Sequence, residues 1–173
     1  MKLFKFKKIS AKISFIVTAM VVIFGGAACA YMQTRIIDEI DNHSRLYVRY
    51  NLKEVAEYCD LAIAYDQDVS DIEAIVRGFT LYETGFALLT DVQGEFFRTN
   101  DFIQRLSAAD RNTLRNLAAS GQTDTVDMRL NNIDFSVAHI KLINDFSLFA
   151  LAPRSEVMAD ANASLIRFPT GHQ

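Results

Sequence analysis

The sequence has no tryptophan, only two prolines and only seven glycines among its 173 residues. Neither proline nor glycine occurs between Gly26 and Gly78, so this stretch holds none of the residues that most often interrupt a helix. No acidic residue precedes Asp38, and no charged residue occurs in residues 13–34. These absences predict a long unbroken helix whose first part is apolar enough to enter a membrane.

Cysteine is also scarce, with only Cys29 and Cys59 in the chain. On one helix they would lie about 45 Å apart, far beyond the roughly 7 Å that separates bridged α-carbons. This spacing excludes a disulfide within the chain. We expect Cys59 to be a small buried apolar residue rather than a reactive thiol.

Motifs of catalysis are missing as well. The chain has no G-x-G-x-x-G, P-loop, H-E-x-x-H or C-x-x-C sequence, and His43, His139 and His172 are too scattered to suggest a metal site. We therefore expect no enzyme, no cofactor and no bound metal. Residues 35–173 hold 13 basic and 21 acidic residues, a formal charge of −8, which argues against nucleic-acid binding.

The uncharged segment sets the predicted location. Its 22 residues would span about 33 Å as a helix, enough to cross a bilayer. The twelve residues before it contain five lysines and no acidic residue, and this asymmetry places the N-terminus in the cytoplasm. We predict a cytoplasmic tail over residues 1–12, a transmembrane helix over 13–34 in the inner membrane, and an extracytoplasmic remainder.

Two alternatives to a retained transmembrane helix would also export the rest of the chain. A cleaved signal peptide fits because Ala28-Cys29-Ala30 has the A-x-A form of a cleavage site, which would leave a secreted binding protein. A lipoprotein anchored through Cys29 fits less well, because Gly26 stands where a large aliphatic residue is expected. The helical pattern that continues past the apolar run favours a retained anchor.

Two stripes at helical spacing follow the apolar segment. One consists of Ile36, Ile40, Tyr47, Tyr50, Tyr58, Leu61 and Tyr65, and the other of Val48, Leu52, Val55, Cys59 and Ala62. A helix with two such faces can pack one on its own domain and the other on a second copy, as in a parallel homodimer. A single helix with one wide buried stripe is the alternative.

The remaining pattern predicts an α+β domain with five antiparallel strands. The sequence DQDVSD at 66–71 ends the long helix, and Ser70 with Glu73 has capping-box spacing for a short second helix. A further helix is predicted over 107–120, capped by Ser107 and closed by Gly121, and a terminal helix from Ser155 to about residue 168. The predicted strands are 86–90, 95–99, 123–130, 133–142 and 145–152.

Two quoted stretches carry a resemblance to a known family. The hairpin GFALLTDVQGEFF and the closing DFSLFALAPRSEVMADANASLI, with its Pro-Arg-Ser-Glu turn, resemble the extracytoplasmic Cache (PAS-like) sensor domains of bacterial transmembrane receptors. Such receptors include methyl-accepting chemotaxis proteins, histidine kinases and membrane diguanylate cyclases. The resemblance covers residues 35–168, and residues 169–173 form a short tail.

The chain departs from this pattern in two ways. Many closing strands of the family begin with Gly-Trp, where this chain has Asp145-Phe146. Residues 156–173 hold no apolar run long enough for the second span that such receptors have, and no effector domain follows. The second departure favours a receptor truncated before its second span over a free-standing sensor.

The resemblance implies a membrane-anchored small-molecule sensor in signal transduction, most commonly chemotaxis. In that interpretation ligand occupancy shifts the long helix relative to the exit helix. The ligand class we expect is an organic acid or amino acid. A structural or assembly module with a pocket filled by side chains is the rival from another class.

The resemblance places ligand contacts on the short helix, the hairpin and the central strands. The candidate residues there are Arg77, Tyr82, Arg98, Arg129 and His139. Arginine suits a carboxylate because its planar fork donates two parallel hydrogen bonds. His139 should share a strand face with Phe135 and Val137, where it could bind a carboxylate, respond to pH or simply serve the fold.

Overall fold

The computed structural model describes the backbone of residues 3–159 and the side chains of residues 14–159. Within these residues the fold is α+β, as expected: a long N-terminal helix and a five-stranded antiparallel sheet. Contacts divide the chain into one unit over Met1–Ile40 and a second over Asp41–Gln173. The elements are α1 (Leu3–Ala64), α2 (Val69–Gly78), β1 (Thr80–Leu81), β2 (Gly85–Thr90), α3 (Phe102–Arg105), α4 (Ala108–Ser120), β3 (Val126–Leu130), β4 (Ile133–Lys141) and β5 (Ser147–Pro153).

The first unit is helical and carries the apolar segment. Its described large apolar side chains from Phe15 to Ile37 are exposed, including Phe15 at 75% and Phe24 at 70%. By length and composition this stretch of α1 is sufficient to cross a membrane, and it is the single stretch of that kind among the described residues.

In the second unit α1 buries the stripe of small and aliphatic residues that the sequence predicts. Val48, Leu52 and Cys59 are fully buried, and they pack in one core cluster with sheet residues such as Leu89 and Leu148. The helix ends at Ala64, where Asp66 takes positive φ and Gln67 donates its backbone N–H to the Ala62 carbonyl at 3.0 Å. The predicted break at 66–71 is confirmed.

The second helix forms where expected, but its predicted cap is wrong. α2 begins at Val69, and its N-cap is Asp68, whose side chain makes no capping hydrogen bond. The Asp68 carbonyl instead accepts the backbone N–H of Asp71 at 2.9 Å. Because the helix starts two residues earlier than the capping box requires, Ser70 lies inside the first turn. The predicted apolar face is confirmed, with Ile72 and Val76 buried.

The strands pair in the order β1-β2-β5-β4-β3, all antiparallel. The β3–β4 hairpin turns through Asn131 and Asn132, both at positive φ, as a two-residue loop requires. The central strand β5 is buried along its whole length, because β2 and β4 cover its edges and helices cover both its faces.

The first hairpin differs from the prediction. Strand 86–90 is present as β2, and the turn that follows is confirmed: Gly94 has φ +79° and donates its N–H to the Asp91 carbonyl at 3.0 Å. Residues 95–99 do not form a strand and contribute a single bridge between Thr90 and Phe96. The fifth strand is instead β1, a two-residue segment that pairs with the other end of β2.

The helix after the hairpin follows its sequence signals. Ser107 and Asp110 form a reciprocal capping box, and Gly121 closes α4 in the left-handed conformation at φ +66°. Leu114 and Leu117 are buried, as expected. The four-residue helix α3, just before α4, has no counterpart in the sequence prediction.

Two hydrophobic clusters lie on opposite faces of the sheet. One joins α1 and α2 to residues such as Ala87, Leu89 and Ala150, and the other joins α3 and α4 to residues such as Leu88 and Phe149. Strands β2, β4 and β5 alternate between the two clusters, with period two. The sheet is therefore a central layer, with helices packed on both sides.

Candidate functional site

The five residues predicted as ligand contacts do not come together. Arg77, Arg98 and Arg129 are exposed, and Arg77 and Arg129 face acidic neighbours, Glu73 at 3.8 Å and Asp134 at 3.9 Å. Tyr82 is half-buried, with its ring 5.4 Å from that of Tyr47 in α1.

His139 lies on the opposite sheet face from α1 and α2. It shares that face with Phe135 and Val137, which confirms the predicted strand orientation. The side chain is 3% exposed and stacks on Phe149 with 5.0 Å between ring centroids.

Neither ring nitrogen of His139 has a hydrogen-bond partner. Burial lowers the pKa of His139, and the positive charge of Lys141 adds to this. The backbone of Gln122 acts in the opposite direction, although its contact falls outside hydrogen-bond geometry. His139 is therefore a neutral buried imidazole at neutral pH.

Aromatic side chains fill the space between the sheet and α3. Phe86, Phe102 and Phe135 form a triangle with ring centroids 5.1, 5.4 and 6.1 Å apart. Phe96 contacts Phe149 on the same face, whereas Phe97 packs on Phe146 on the other. This packing fills the interior between the sheet and α3 with side chains.

A surface cleft of about 290 Å³ lies at one end of the sheet. Thr90, Lys141 and Ser147 line its floor, in one cross-strand row beside the row that contains His139. Arg115 of α4 lines another side and donates to the Gly94 carbonyl at 2.8 Å. Both cations already have acidic partners, Lys141 with Asp145 and Arg115 with Glu95, each at 2.7 Å.

The most connected polar cluster lies elsewhere, around the carboxylate of Asp127 in β3. Asp127 Oδ2 accepts hydrogen bonds from Arg45 of α1 and from Arg154, and Asp127 Oδ1 accepts from the Ser136 hydroxyl at 2.8 Å. Asp41 completes the cluster, 2.9 Å from Arg45 and 3.6 Å from Arg154. Two cations and two anions therefore meet at one half-buried junction.

Arg45 also ties α1 to the backbone that leads into β3. It donates to the Thr125 carbonyl at 2.9 Å, and the Thr125 hydroxyl donates to the Arg45 carbonyl at 3.0 Å. Although burial alone would lower the pKa of Arg45, its hydrogen bond to Asp41 and the charge of Asp127 raise it above the ordinary value. Arg45 stays charged within the cluster.

The Pro-Arg-Ser-Glu turn is held on a second side by Glu156. Its carboxylate accepts the backbone N–H groups of Glu83 and Thr84, each at 3.0 Å, and the Thr84 hydroxyl. Burial favours the neutral acid, but these hydrogen bonds outweigh it and lower the pKa of Glu156. Residues 154–159 are helical, in agreement with the predicted terminal helix, and the rest of that prediction lies outside the described residues.

Asp41, Arg45 and Asp127 were not predicted from the sequence, whereas Arg154 lies in the Pro-Arg-Ser-Glu turn that was. Asp41 and Arg45 have the i, i+4 spacing of a helical ion pair, which was a readable signal. Their meeting with Asp127 depends on strand register and has no local sequence signature.

Comparison with known proteins finds no family model that matches the chain, and no significant match among curated proteins or solved structures.

Proposed function

We propose that the chain is a membrane-anchored extracytoplasmic sensor module of signal transduction, with its N-terminus in the cytoplasm. The observation that carries this proposal is that α1 bears both an apolar segment long enough to span a membrane and a stripe buried in the core of the folded unit. A change in the packing of the sheet therefore acts directly on the helix that bears the anchor. In a longer receptor of the chemotaxis, histidine kinase or diguanylate cyclase type, an effector would read that change.

The ligand we propose is an organic acid or amino acid, and the cleft at the end of the sheet is its favoured site. Its volume suits a small solute, and it offers the ammonium of Lys141 and the hydroxyls of Thr90 and Ser147. A carboxylate would compete with Asp145 for Lys141. This site differs from the five residues predicted from the sequence, which remain a separate prediction.

The test is thermal unfolding of the full chain in detergent against a panel of organic acids and amino acids. A true ligand at one hundred times its Kd stabilises by about 2.7 kcal/mol, which raises the melting temperature by several degrees. Lys141→Gln should remove the shift, and Lys53→Gln, an exposed lysine on α1, should retain it. A folded protein that no compound in the panel stabilises would count against ligand sensing.

A structural or assembly module is the second candidate, favoured by the phenylalanine triangle that fills the interior. In that case the unit presents a surface and binds no solute. Phe135→Ala would then open a cavity and only lower stability, by about 3–5 kcal/mol. If the chain is instead a sensor whose interior ligand site is closed in this conformation, a small ligand should bind the cavity of the same variant and stabilise it.

We also propose that the module pairs with a second copy through α1. Tyr50 and Tyr58 of α1 are 72% and 56% exposed, Tyr65 just past the end of α1 is 77% exposed, and all three belong to the first predicted stripe. Tyr47 and Tyr58 are 11 residues apart, which is about three helical turns, so the stripe runs nearly straight along α1. Two copies anchored in one membrane would be parallel and could bring the same stripe face to face.

Oxidative crosslinking in membranes tests this pairing. In a Cys29→Ser background, Tyr50→Cys and Tyr58→Cys should give covalent dimers. Val92→Cys, equally exposed but on the β2 turn, should not. If Val92→Cys crosslinks as fully as the two α1 positions, random collision explains the dimers and pairing through α1 is wrong.

A further inference from the structure

The two ends of the folded unit meet at a single carboxylate. Arg45 lies on α1, the element that enters the unit, and Arg154 begins the helical segment that follows the last strand. Both guanidinium groups donate to Asp127 Oδ2, while the other oxygen is held by Ser136 of β4. Asp127 thus joins the entering helix, the sheet and the leaving helix.

Arg45 and Arg154 share the Asp127 carboxylate as acceptor, so their two ion pairs are not independent of each other. Removing the Asp127 charge would leave Arg45 and Arg154 beside each other with only Asp41 to balance them. Asp41 contacts Arg45 at 2.9 Å but Arg154 at 3.6 Å. Without Asp127, the ion pair that remains for Arg154 would therefore be weaker than the one that remains for Arg45. Side chains that are 24–40% exposed are also screened less by solvent than fully exposed pairs.

α1 and the segment 154–159 each make other contacts with the folded unit that do not involve Asp127. α1 keeps its buried stripe and the Arg45–Thr125 hydrogen bonds whatever happens at Asp127. The segment 154–159 keeps Val157 in the core cluster that also holds the α1 stripe, and the Glu156 hydrogen bonds attach it to residues 83–84. Asp127 adds the polar contact that fixes the position of Arg154 relative to Arg45 of α1.

We propose that Asp127 is a conformational latch that couples α1 to the C-terminal helical segment, and that its release frees the two segments to move relative to each other. This inference involves no ligand, so its test does not depend on whether the proposed sensing function is correct. It assigns a role to the Pro-Arg-Ser-Glu turn: Arg154 closes the latch and Glu156 anchors the turn to the sheet.

Pulsed electron spin resonance distances on the full chain in nanodiscs test the latch. Spin labels would be placed at Lys53→Cys on α1 and Ala159→Cys on the C-terminal segment, both exposed positions, in a Cys29→Ser background. Cys59 can stay, because it is fully buried and burial raises the pKa of its thiol to about 11.

We expect a single narrow distance distribution in the parent protein, and a broadened or shifted one in Asp127→Asn and in Arg154→Gln. Asp124→Asn is the matched control: it breaks the exposed Asp124–Arg49 pair at 3.2 Å, which links the segment before β3 to α1 without involving Arg154. Its distribution should remain narrow.

Arg154→Gln decides the result if Asp127→Asn does not fold, because it leaves the Arg45–Asp127 pair intact. A folded Arg154→Gln protein with the narrow distribution of the parent would overturn the latch. Broadening of equal size in Asp124→Asn would overturn it too, since any ion pair at this edge would then have the same effect.

Discussion

At the residue scale, His139 shows what the alternation of residues along a strand can and cannot predict. The alternation of Phe135, Val137 and His139 correctly assigned the histidine to an apolar face. It did not indicate that both ring nitrogens would lack partners, because that depends on how α4 and Gln122 cover the strand. Such burial of an unsatisfied polar group costs about 1–3 kcal/mol of stability.

The buried histidine predicts a pH dependence. The pKa of His139 is lower in the folded state than in the unfolded chain, where it is about 6.5. The unfolded state therefore binds more protons below that pH, and the free energy of unfolding should fall as the pH drops below about 6.5. Above it, His139 contributes no slope. Urea unfolding between pH 5 and pH 8 measures this.

One variant tests the contribution of His139. His139→Leu should reduce the loss of stability on acidification and be at least as stable as the parent at pH 7. An unaltered acid slope in His139→Leu would show that the histidine titrates no differently in the folded state.

The close backbone packing around Gly85 gives a second prediction for a single residue. A Cβ at Gly85 would lie 2.9 Å from the Leu151 carbonyl oxygen and closer still to that of Leu81, both backbone atoms that cannot move aside. We expect Gly85→Ala to destabilise the protein by about 1–3 kcal/mol or to displace β1. Gly78→Ala, at the end of α2 with nothing within 4 Å, should be neutral or stabilising. Chemical denaturation compares the two, and equal stabilities would contradict the steric argument.

At the element scale, helix caps illustrate the limit of local motifs. Ser70-x-x-Glu73 and Ser107-x-x-Asp110 have the same spacing, but a capping box forms at Ser107 alone of the two. The sequence cannot distinguish them, because the start of α2 depends on the backbone turn that follows α1 at Asp66.

The two serines give a matched pair of variants. Ser107→Ala should lower the free energy of unfolding by about 1 kcal/mol, since it removes the hydrogen bond to the Asp110 N–H. Ser70→Ala should change it by less than about 0.5 kcal/mol. Thermal or urea unfolding of both variants measures the difference, and a larger loss for Ser70→Ala would restore the cap that the sequence predicts.

The missing strand over 95–99 is an effect of neighbouring elements. Thr99 donates its N–H to the Phe97 carbonyl at 2.9 Å, so the chain turns instead of extending. β1 already occupies the other end of the same edge of β2. The turn at Gly94 was predicted correctly, but the pairing of residues 95–99 was not.

At the scale of the whole molecule, retention of the N-terminal segment is the first property to test. A retained anchor predicts a membrane-bound product of 19.5 kDa that resists extraction with alkaline carbonate. Intact mass spectrometry of the membrane fraction measures this. A shorter product that begins at Tyr31, and that disappears in Ala30→Leu, would instead establish cleavage at the A-x-A sequence.

The sequence by itself determined what depends on neighbours along the chain: the apolar segment, the end of α1, the buried stripe, the Gly94 turn and the caps of α4. These are local because helix periodicity, turn chemistry and capping act within about four residues. Only the tertiary structure decided that Thr80–Leu81 completes the sheet, that phenylalanines fill its interior, and that Arg45, Asp127 and Arg154 share one site. Those outcomes depend on strand register and on packing between separate segments, of which Arg45 and Asp127 are 82 positions apart, and each segment contributes only one side of the contact.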